Sequence, residues 1–202
     1  LQTDYLDVLL LHRPSPLMVA DEIAEAVDQL QKEGKILDFG VSNFTPSQTE
    51  LIRQKTAIHY NQIQFSATHH EAMLDGSLDY MQLHQIRPMS WNPLGTVFRE
   101  DIEQTRRLKK LLAQLVEKYG LGSDTILLAW ILKHPAKVIP IAGTVNIARI
   151  QSLSKAIELE FPLRIPSKLP CFKFSLPEIK SKALLSAIVT LSLVPSKDNA
   201  PI

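Results

Sequence analysis

The sequence is poor in the features that identify several classes of protein. Its 202 residues include one cysteine, Cys171, and only 7 glycines, and 22 Lys+Arg balance 21 Asp+Glu. A single thiol builds neither a disulfide framework nor a cysteine zinc site, which suits a reducing cytosol. Balanced charge provides no basic field for phosphate groups, so a nucleic-acid partner is not expected. We therefore predict a globular protein of the cytoplasm.

Long apolar runs and targeting segments are missing as well. The longest apolar run, residues 183–194, is shorter than the roughly 20 residues that span a bilayer. No basic stretch followed by an apolar run and a small-residue cleavage site opens the chain, so neither a signal peptide nor a membrane partner is expected. The chain begins at Leu1, and a strand pattern follows almost at once. From this we expect a piece of a longer protein.

Short apolar runs alternate with helical periods along most of the chain. Each of five predicted strands is followed by a helical pattern, and the strands are residues 5–11, 36–41, 60–65, 88–91 and 138–141. Strands that alternate with helices favour a parallel α/β architecture with right-handed crossovers. No glycine-rich phosphate loop follows any strand, which favours a closed barrel over a nucleotide-binding open sheet.

The last part of the chain has a composition of its own. Residues 161–202 hold six of the 13 prolines and the only cysteine, but no glycine. They also carry six Lys+Arg against two Asp+Glu. We predict a structured region over residues 1–160 and a poorly ordered, proline-rich tail over 161–202 with one helix near 178–193.

Polar side chains cluster where the predicted strands end. In parallel α/β barrels the active site gathers at the carboxyl ends of the strands, so these side chains are the candidates for function. They are His12, Ser42, Asn43, Asn61, Gln62, Trp91 and Asn92. None is a nucleophile with an adjacent base, and no paired carboxylates accompany them. Carboxamides beside an aromatic face suit a flat ring that bears an amide, such as nicotinamide.

Five collinear segments within residues 1–160 are DYLDVLLLHRP, GKILDFGVSNF, YNQIQ, MSWNPLG and IPIAGTVNIARI. Together, in this order and at this spacing, they resemble the second part of an aldo-keto reductase. The resemblance implies an α/β fold that is part of a TIM (β/α)8 barrel, about strands 4 to 8 with their helices. It also implies an NAD(P)H-dependent oxidoreductase that reduces aldehyde or ketone carbonyls by hydride transfer. NADP(H) is the expected cofactor, with NAD(H) as the alternative, and the partner is a small carbonyl substrate.

The resemblance also assigns roles to the residues near the reacting ring. His12 is similar to the catalytic histidine that hydrogen-bonds the substrate carbonyl. Trp91 stands at the position where the family has an aromatic ring, commonly tyrosine, that stacks on the nicotinamide. Asn92 is the next residue. The residues that match those holding the nicotinamide carboxamide are Ser42, Asn43 and Gln62.

Two further groups correspond to the phosphate contacts of the family. The loop that lies along the pyrophosphate is matched by Pro93, Leu94 and Gly95. The adenosine-phosphate clamp is matched by Gly143, Thr144 and Arg149, of which the last two are expected at the 2′-phosphate.

Departures from the family pattern leave alternatives open. Ile141 stands where many members carry lysine, so one charged phosphate contact is absent. The family's proton-donating tyrosine, its lysine and its aspartate lie on the first three strands, which this sequence does not supply. We therefore expect the 202 residues alone to be inactive. A regulatory or interaction protein of the same fold that binds NADP(H) is the alternative, as is a non-functional truncated product.

Structural roles compete with the functional ones at several positions. Ser42 and Asn43 could be turn residues before a helix, and Trp91 could be ordinary core packing. Arg149 could be a solvated residue in the first turn of a helix, where a cation is mildly unfavourable unless an anion is near. His69 and its neighbour do not have the spacing of metal ligands, so no metal is expected.

Overall fold

The computed structural model describes residues 2–160 as one parallel sheet with helices packed against it. The sheet has five strands in the order β1-β2-β3-β4-β5. The strands are β1 Leu6–Leu11, β2 Ile36–Ser42, β3 Tyr60–Gln64, β4 Arg87–Trp91 and β5 Ile139–Pro140. The α-helices of this region are α1 Ala20–Lys32, α2 Pro46–Arg53, α3 Ser77–Leu83, α4 Glu103–Tyr119, α5 Ser123–Leu132 and α6 Ile147–Ser154. The predicted tail, with its helix near 178–193, lies outside the described residues.

The start of α2 shows how local chemistry fixes an element boundary. The Thr45 hydroxyl accepts a hydrogen bond from the Gln48 backbone N–H at 3.3 Å, and Gln48 Oε1 accepts from the Thr45 N–H at 3.0 Å. The sequence, with threonine at 45, proline at 46 and glutamine at 48, predicts a capping box, and the structure confirms it. At the start of α5 the sequence pattern predicts Ser123 as the cap. This prediction is wrong, because the cap position is Gly122 and no side chain caps the helix.

The order of the strands explains why the sheet belongs to a barrel. Every neighbouring pair is parallel and consecutive in sequence. Right-handed crossovers between consecutive strands place all the connecting helices on one face of the sheet. That face carries the main hydrophobic core, in which Phe39 and Val41 of β2 pack with Val27 of α1 and Ile52 of α2. The opposite face, called the inner face below, becomes the interior when such a sheet closes.

The strand register aligns the residues of the inner face in rows. Leu10, Gly40, Tyr60 and Arg87 lie side by side across β1 to β4. Two residues further along, Ser42 is level with Gln62, and Gln62 with Met89 and Ile139. The second row therefore places the Ser42 hydroxyl beside the Gln62 carboxamide near the carboxyl ends of β2 and β3.

Helix length bears on the expectation that the chain does not associate with a membrane. Within residues 2–160, no helix combines the length and the apolar character that a membrane crossing requires. The longest of these helices, α4, carries charged side chains along most of its length.

A charged network joins α2 to α3 on the outer surface. Glu50 accepts hydrogen bonds from Arg53 Nε at 2.9 Å and from the Tyr80 hydroxyl at 2.6 Å. The Arg53 guanidinium, followed by the Tyr80 hydroxyl, lowers the pKa of Glu50 from 4.5 to about 2. The carboxylate therefore stabilises the folded state as long as it stays ionised.

The low pKa of Glu50 predicts part of the acid sensitivity of the fold. Because the folded-state pKa is depressed, the contribution is complete above about pH 4.5 and is lost as the pH falls toward 2. We expect Glu50→Gln to reduce the slope of unfolding free energy against pH in this window, measured by urea unfolding at a series of pH values. Glu22→Gln, which changes an exposed carboxylate of α1, is the control. An unchanged slope in Glu50→Gln contradicts the assignment.

Candidate active site and cofactor site

The predicted residues nearest the reaction lie at the carboxyl ends of β1 to β4. β1 and β2 pair through the residues immediately before His12 and Ser42, so these two are level with each other. Ser42 pairs with Gln62, and Trp91 pairs with the residue two positions beyond Gln62 on the same face. Ser42 is buried, Gln62 and Trp91 are half-buried, and His12 is exposed. The sheet thus brings an imidazole, a hydroxyl, a carboxamide and an indole to one edge.

Asn43 forms hydrogen bonds with Ser42, Gln62 and Trp91. Its backbone is left-handed, with φ +59, a conformation that asparagine tolerates better than most residues. Its Oδ1 accepts a hydrogen bond from Trp91 Nε1 at 2.8 Å, and its Nδ2 donates to Ser42 Oγ at 3.0 Å. Its backbone N–H donates to the Gln62 carbonyl oxygen at 2.8 Å. The side chain is therefore oriented by protein contacts alone.

The hydrogen-bonding groups left over at this edge are complementary to a carboxamide. Asn43 retains one amide hydrogen and one lone pair of Oδ1 after its two side-chain bonds. The Gln62 side chain forms no hydrogen bond with the described residues, so both its amide and its oxygen are available. A nicotinamide carboxamide offers an acceptor oxygen and a donor NH2 group. The residues present therefore fit that group.

A tight turn follows β4 and holds four of the predicted residues, Asn92 to Gly95. The Gly95 N–H donates to the Asn92 carbonyl oxygen at 2.9 Å, closing a turn around Pro93 and Leu94. Arg99 Nη2 donates to Asn92 Oδ1 at 2.7 Å and to the Gly95 carbonyl oxygen at 2.9 Å. The guanidinium stabilises the turn by bonding to both of its ends. The sequence alone did not indicate this role.

The turn is packed against the segment after β3. A Cβ added to Gly95 would lie 2.0 Å from Thr68 Oγ1 and 2.6 Å from Ser66 Oγ. Thr68 Oγ1 also accepts a hydrogen bond from the Thr96 N–H at 3.0 Å. Gly95 has φ +58, which side chains rarely adopt. The position therefore requires glycine both for its backbone conformation and for space.

The residues of the expected adenosine-phosphate clamp follow β5. The loop begins beside β4, because the Ile141 N–H donates to the Ser90 carbonyl oxygen at 2.9 Å. Asn146 caps α6 by accepting from the Arg149 N–H at 3.0 Å, and its own N–H donates to Thr144 Oγ1 at 3.3 Å. Gly143 and Arg149 are exposed. Hydrogen bonds thus shape this loop, while the Arg149 side chain reaches solvent.

One polar residue at the strand ends does not join the site. Asn61 is buried at 2% exposure on the helix-covered side of the sheet, because alternate residues of a strand face opposite ways. Its Nδ2 donates to the Phe44 carbonyl oxygen at 3.0 Å. Asn61 therefore supports the loop that carries Asn43 and does not face a ligand.

Two histidines, His69 and the strand-preceding His59, lie beside carboxylates. His59 Nδ1 lies 2.7 Å from Asp38 Oδ1, and His69 Nδ1 lies 3.3 Å from Glu71 Oε2. Within residues 2–160, no three His, Cys, Asp or Glu side chains are grouped so that they could hold a metal ion.

Comparison with known proteins shows to which family the chain belongs. A sequence model of the Aldo/keto reductase family matches residues 1–164. The chain belongs to the aldo/keto reductase family. This match confirms the resemblance. The fold of the family is a barrel, and the five-stranded sheet is part of such a barrel.

Individual curated proteins are similar to this aldo/keto reductase chain as well. The chain is 41% identical over 165 residues to oxidoreductase YdhF of Escherichia coli, covering 79% of this chain and 55% of that protein. It is 35% identical over 161 residues to a 6-dehydroglucose reductase of Agrobacterium fabrum, covering 78% of this chain and 53% of that protein. The chain spans about half the length of the curated relatives it matches.

A solved structure supports the fold of this aldo/keto reductase chain. The crystal structure of an aldo/keto reductase from Klebsiella pneumoniae in complex with NADP and acetate matches with a TM-score of 0.70 and 26% identity. The match covers 79% of this chain and 56% of that one. A parallel sheet that forms part of an aldo/keto reductase barrel was thus predicted correctly.

Proposed function

We propose that this chain is the cofactor-holding part of an NADP(H)-dependent oxidoreductase that reduces aldehyde or ketone carbonyls. The observation that carries the proposal is the hydrogen-bonded group of Ser42, Asn43 and Trp91 at the carboxyl ends of β2 and β4. Its remaining donors and acceptors match a carboxamide, and the indole provides an aromatic face beside them. The solved relative that holds NADP supports the choice of a phosphorylated dinucleotide.

The proposed roles follow the position of each residue along the site. Ser42, Asn43 and Gln62 bind the carboxamide of nicotinamide, and Trp91 packs against the ring. The turn of Asn92 to Gly95 lies along the pyrophosphate. At the far end, Gly143, Thr144 and Arg149 contact the adenosine phosphate, and NAD(H) is the alternative cofactor because Ile141 supplies no charge there.

The chemistry of carbonyl reduction divides between this chain and the rest of the barrel. A bound nicotinamide cofactor supplies the hydride that the carbonyl carbon accepts. His12, exposed at the end of β1, donates a hydrogen bond to the carbonyl oxygen. The proton for that oxygen comes, by family resemblance, from a tyrosine on strands that this sequence does not include. We therefore propose that the 202 residues bind cofactor but do not turn over substrate by themselves.

Titration with NADPH tests the proposal. We expect saturable binding to the 202-residue chain, followed by the change in nicotinamide fluorescence. Asn43→Gly should weaken binding roughly tenfold, because it removes a half-buried hydrogen-bonding group while glycine accepts φ +59. Gln82→Ala, which deletes an exposed carboxamide on α3, is the matched control and should bind like the unmodified chain.

Two results bear on the proposal in opposite directions. Absence of binding at millimolar NADPH, in a chain that circular dichroism shows to be folded, contradicts it. Reduction of 6-dehydroglucose or a simple aldehyde by the chain alone contradicts the proposal that the proton donor lies outside the 202 residues. No tyrosine from elsewhere would then be needed.

A further inference from the structure

A carboxylate of α5 faces the arginine that is proposed to contact the 2′-phosphate. Asp124 Oδ2 lies 3.8 Å from Arg149 Nε. We propose that Asp124 is a specificity-determining residue, which weakens the preference for a phosphorylated dinucleotide by opposing the charge of Arg149. This inference rests on the proposed function, because it concerns the phosphate end of the same cofactor site.

The Asp124 side chain is held in this position by its own helix. Its Oδ1 accepts a hydrogen bond from the Thr125 N–H at 2.9 Å. The first turn of a helix favours a carboxylate, since the unpaired backbone N–H groups carry partial positive charge. The Thr125 hydroxyl lies 3.4 Å from Ser152 Oγ, which joins α5 to α6. The carboxylate and the guanidinium are therefore kept near each other by the packing of two helices.

The charge around the phosphate end is close to zero. Between Ile141 and Arg149, the arginine is the only charged residue in the sequence. The negative charge of Asp124 offsets it, and its side chain is 25% exposed against 60% for Arg149. A 2′-phosphate that approaches Arg149 from solvent meets a cation whose field is already reduced. A dinucleotide without that phosphate is indifferent to the pair.

The size of the effect follows from Coulomb's law. A phosphate carrying between about −1 and −2 charges, roughly 7 Å from a carboxylate in near-aqueous surroundings, is repelled enough to weaken binding about fivefold. Salt screens such an interaction because the Debye length at physiological ionic strength is about 8 Å. Removing the charge of Asp124 should therefore strengthen NADPH binding most at low ionic strength.

The experiment compares dissociation constants of NADPH and NADH for the full chain and three variants. Asp124→Asn keeps the oxygen that accepts from the Thr125 N–H, so the helix end is preserved. We expect it to lower the dissociation constant of NADPH about fivefold, to change that of NADH less than twofold, and to lose this advantage at high salt. Arg149→Met should abolish the difference between the cofactors, and Glu22→Gln, an exposed acid of α1, should change neither constant.

The outcomes separate this inference from the function on which it rests. Weaker NADPH binding in Asp124→Asn, or an equal change for both cofactors, overturns the specificity role while leaving the cofactor site intact. A chain that binds neither cofactor overturns the proposed function and this inference together. An effect that does not diminish with salt overturns the electrostatic cause, because a packing change is not screened.

Discussion

Gly40→Ala should strongly destabilise the fold. A Cβ at this position would lie 2.7 Å from the Tyr60 backbone oxygen and 2.7 Å from Leu10 Cδ2. The Tyr60 backbone is fixed by its pairing with β2 and β4 and cannot move without breaking both ladders. We expect a loss of about 3 kcal/mol in the free energy of unfolding, at the upper end for overpacking, measured by urea denaturation.

The same substitution should also reach the candidate site. Ser42 and Gln62, which lie two residues beyond the collision on paired strands, would be pushed apart as β2 leaves β3. Weaker NADPH binding is therefore expected to accompany the lower stability. Gly143→Ala is the control for stability, because nothing lies within 4 Å of its added Cβ. A Gly40→Ala protein as stable as the control would show that the strands separate easily and that the close approach is unimportant.

The regular part of the fold could be predicted from the sequence because its signals are local. The capping box of Thr45 and Gln48 needs only residues three apart, and the alternation of apolar runs with helical periods is visible along the chain. Consecutive parallel strands then leave few arrangements, since the crossovers share one hand. Local signals do not fix a helix start where two adjacent residues can both occupy the cap position, as Gly122 and Ser123 can at the start of α5.

The contacts that shape the candidate site could not be predicted in the same way. Trp91 and Asn43 are 48 positions apart, and nothing near either residue indicates that the indole N–H orients the carboxamide. The pairing of Asp124 with Arg149 likewise depends on how α5 packs against α6. The sequence pattern did suggest that a cation in the first turn of α6 calls for a nearby anion. The structure supplies such an anion from within the protein, the carboxylate of Asp124.

Gly95→Ala should have the largest effect on cofactor binding. The added Cβ would meet Thr68 Oγ1 at 2.0 Å, and the backbone at φ +58 is strained for alanine. To relieve the collision, Thr68 must turn away and give up the Thr96 N–H, or the whole turn must shift. Either change displaces the Gly95 carbonyl oxygen, which accepts a hydrogen bond from Arg99 Nη2. We expect NADPH binding to weaken at least tenfold, because a displaced loop loses contacts along the pyrophosphate.

A matched glycine separates the two causes of this effect. Gly120 has φ +65, close to that of Gly95, but nothing lies within 4 Å of its added Cβ. Gly120→Ala therefore carries the backbone strain alone, about 1 kcal/mol of stability, and should leave the dissociation constant of NADPH unchanged. If Gly95→Ala binds NADPH as tightly as Gly120→Ala does, the turn does not contact the cofactor. If both weaken binding equally, general loss of stability and not the position of the turn is responsible. Weakening confined to Gly95→Ala assigns the pyrophosphate contact to the turn after β4.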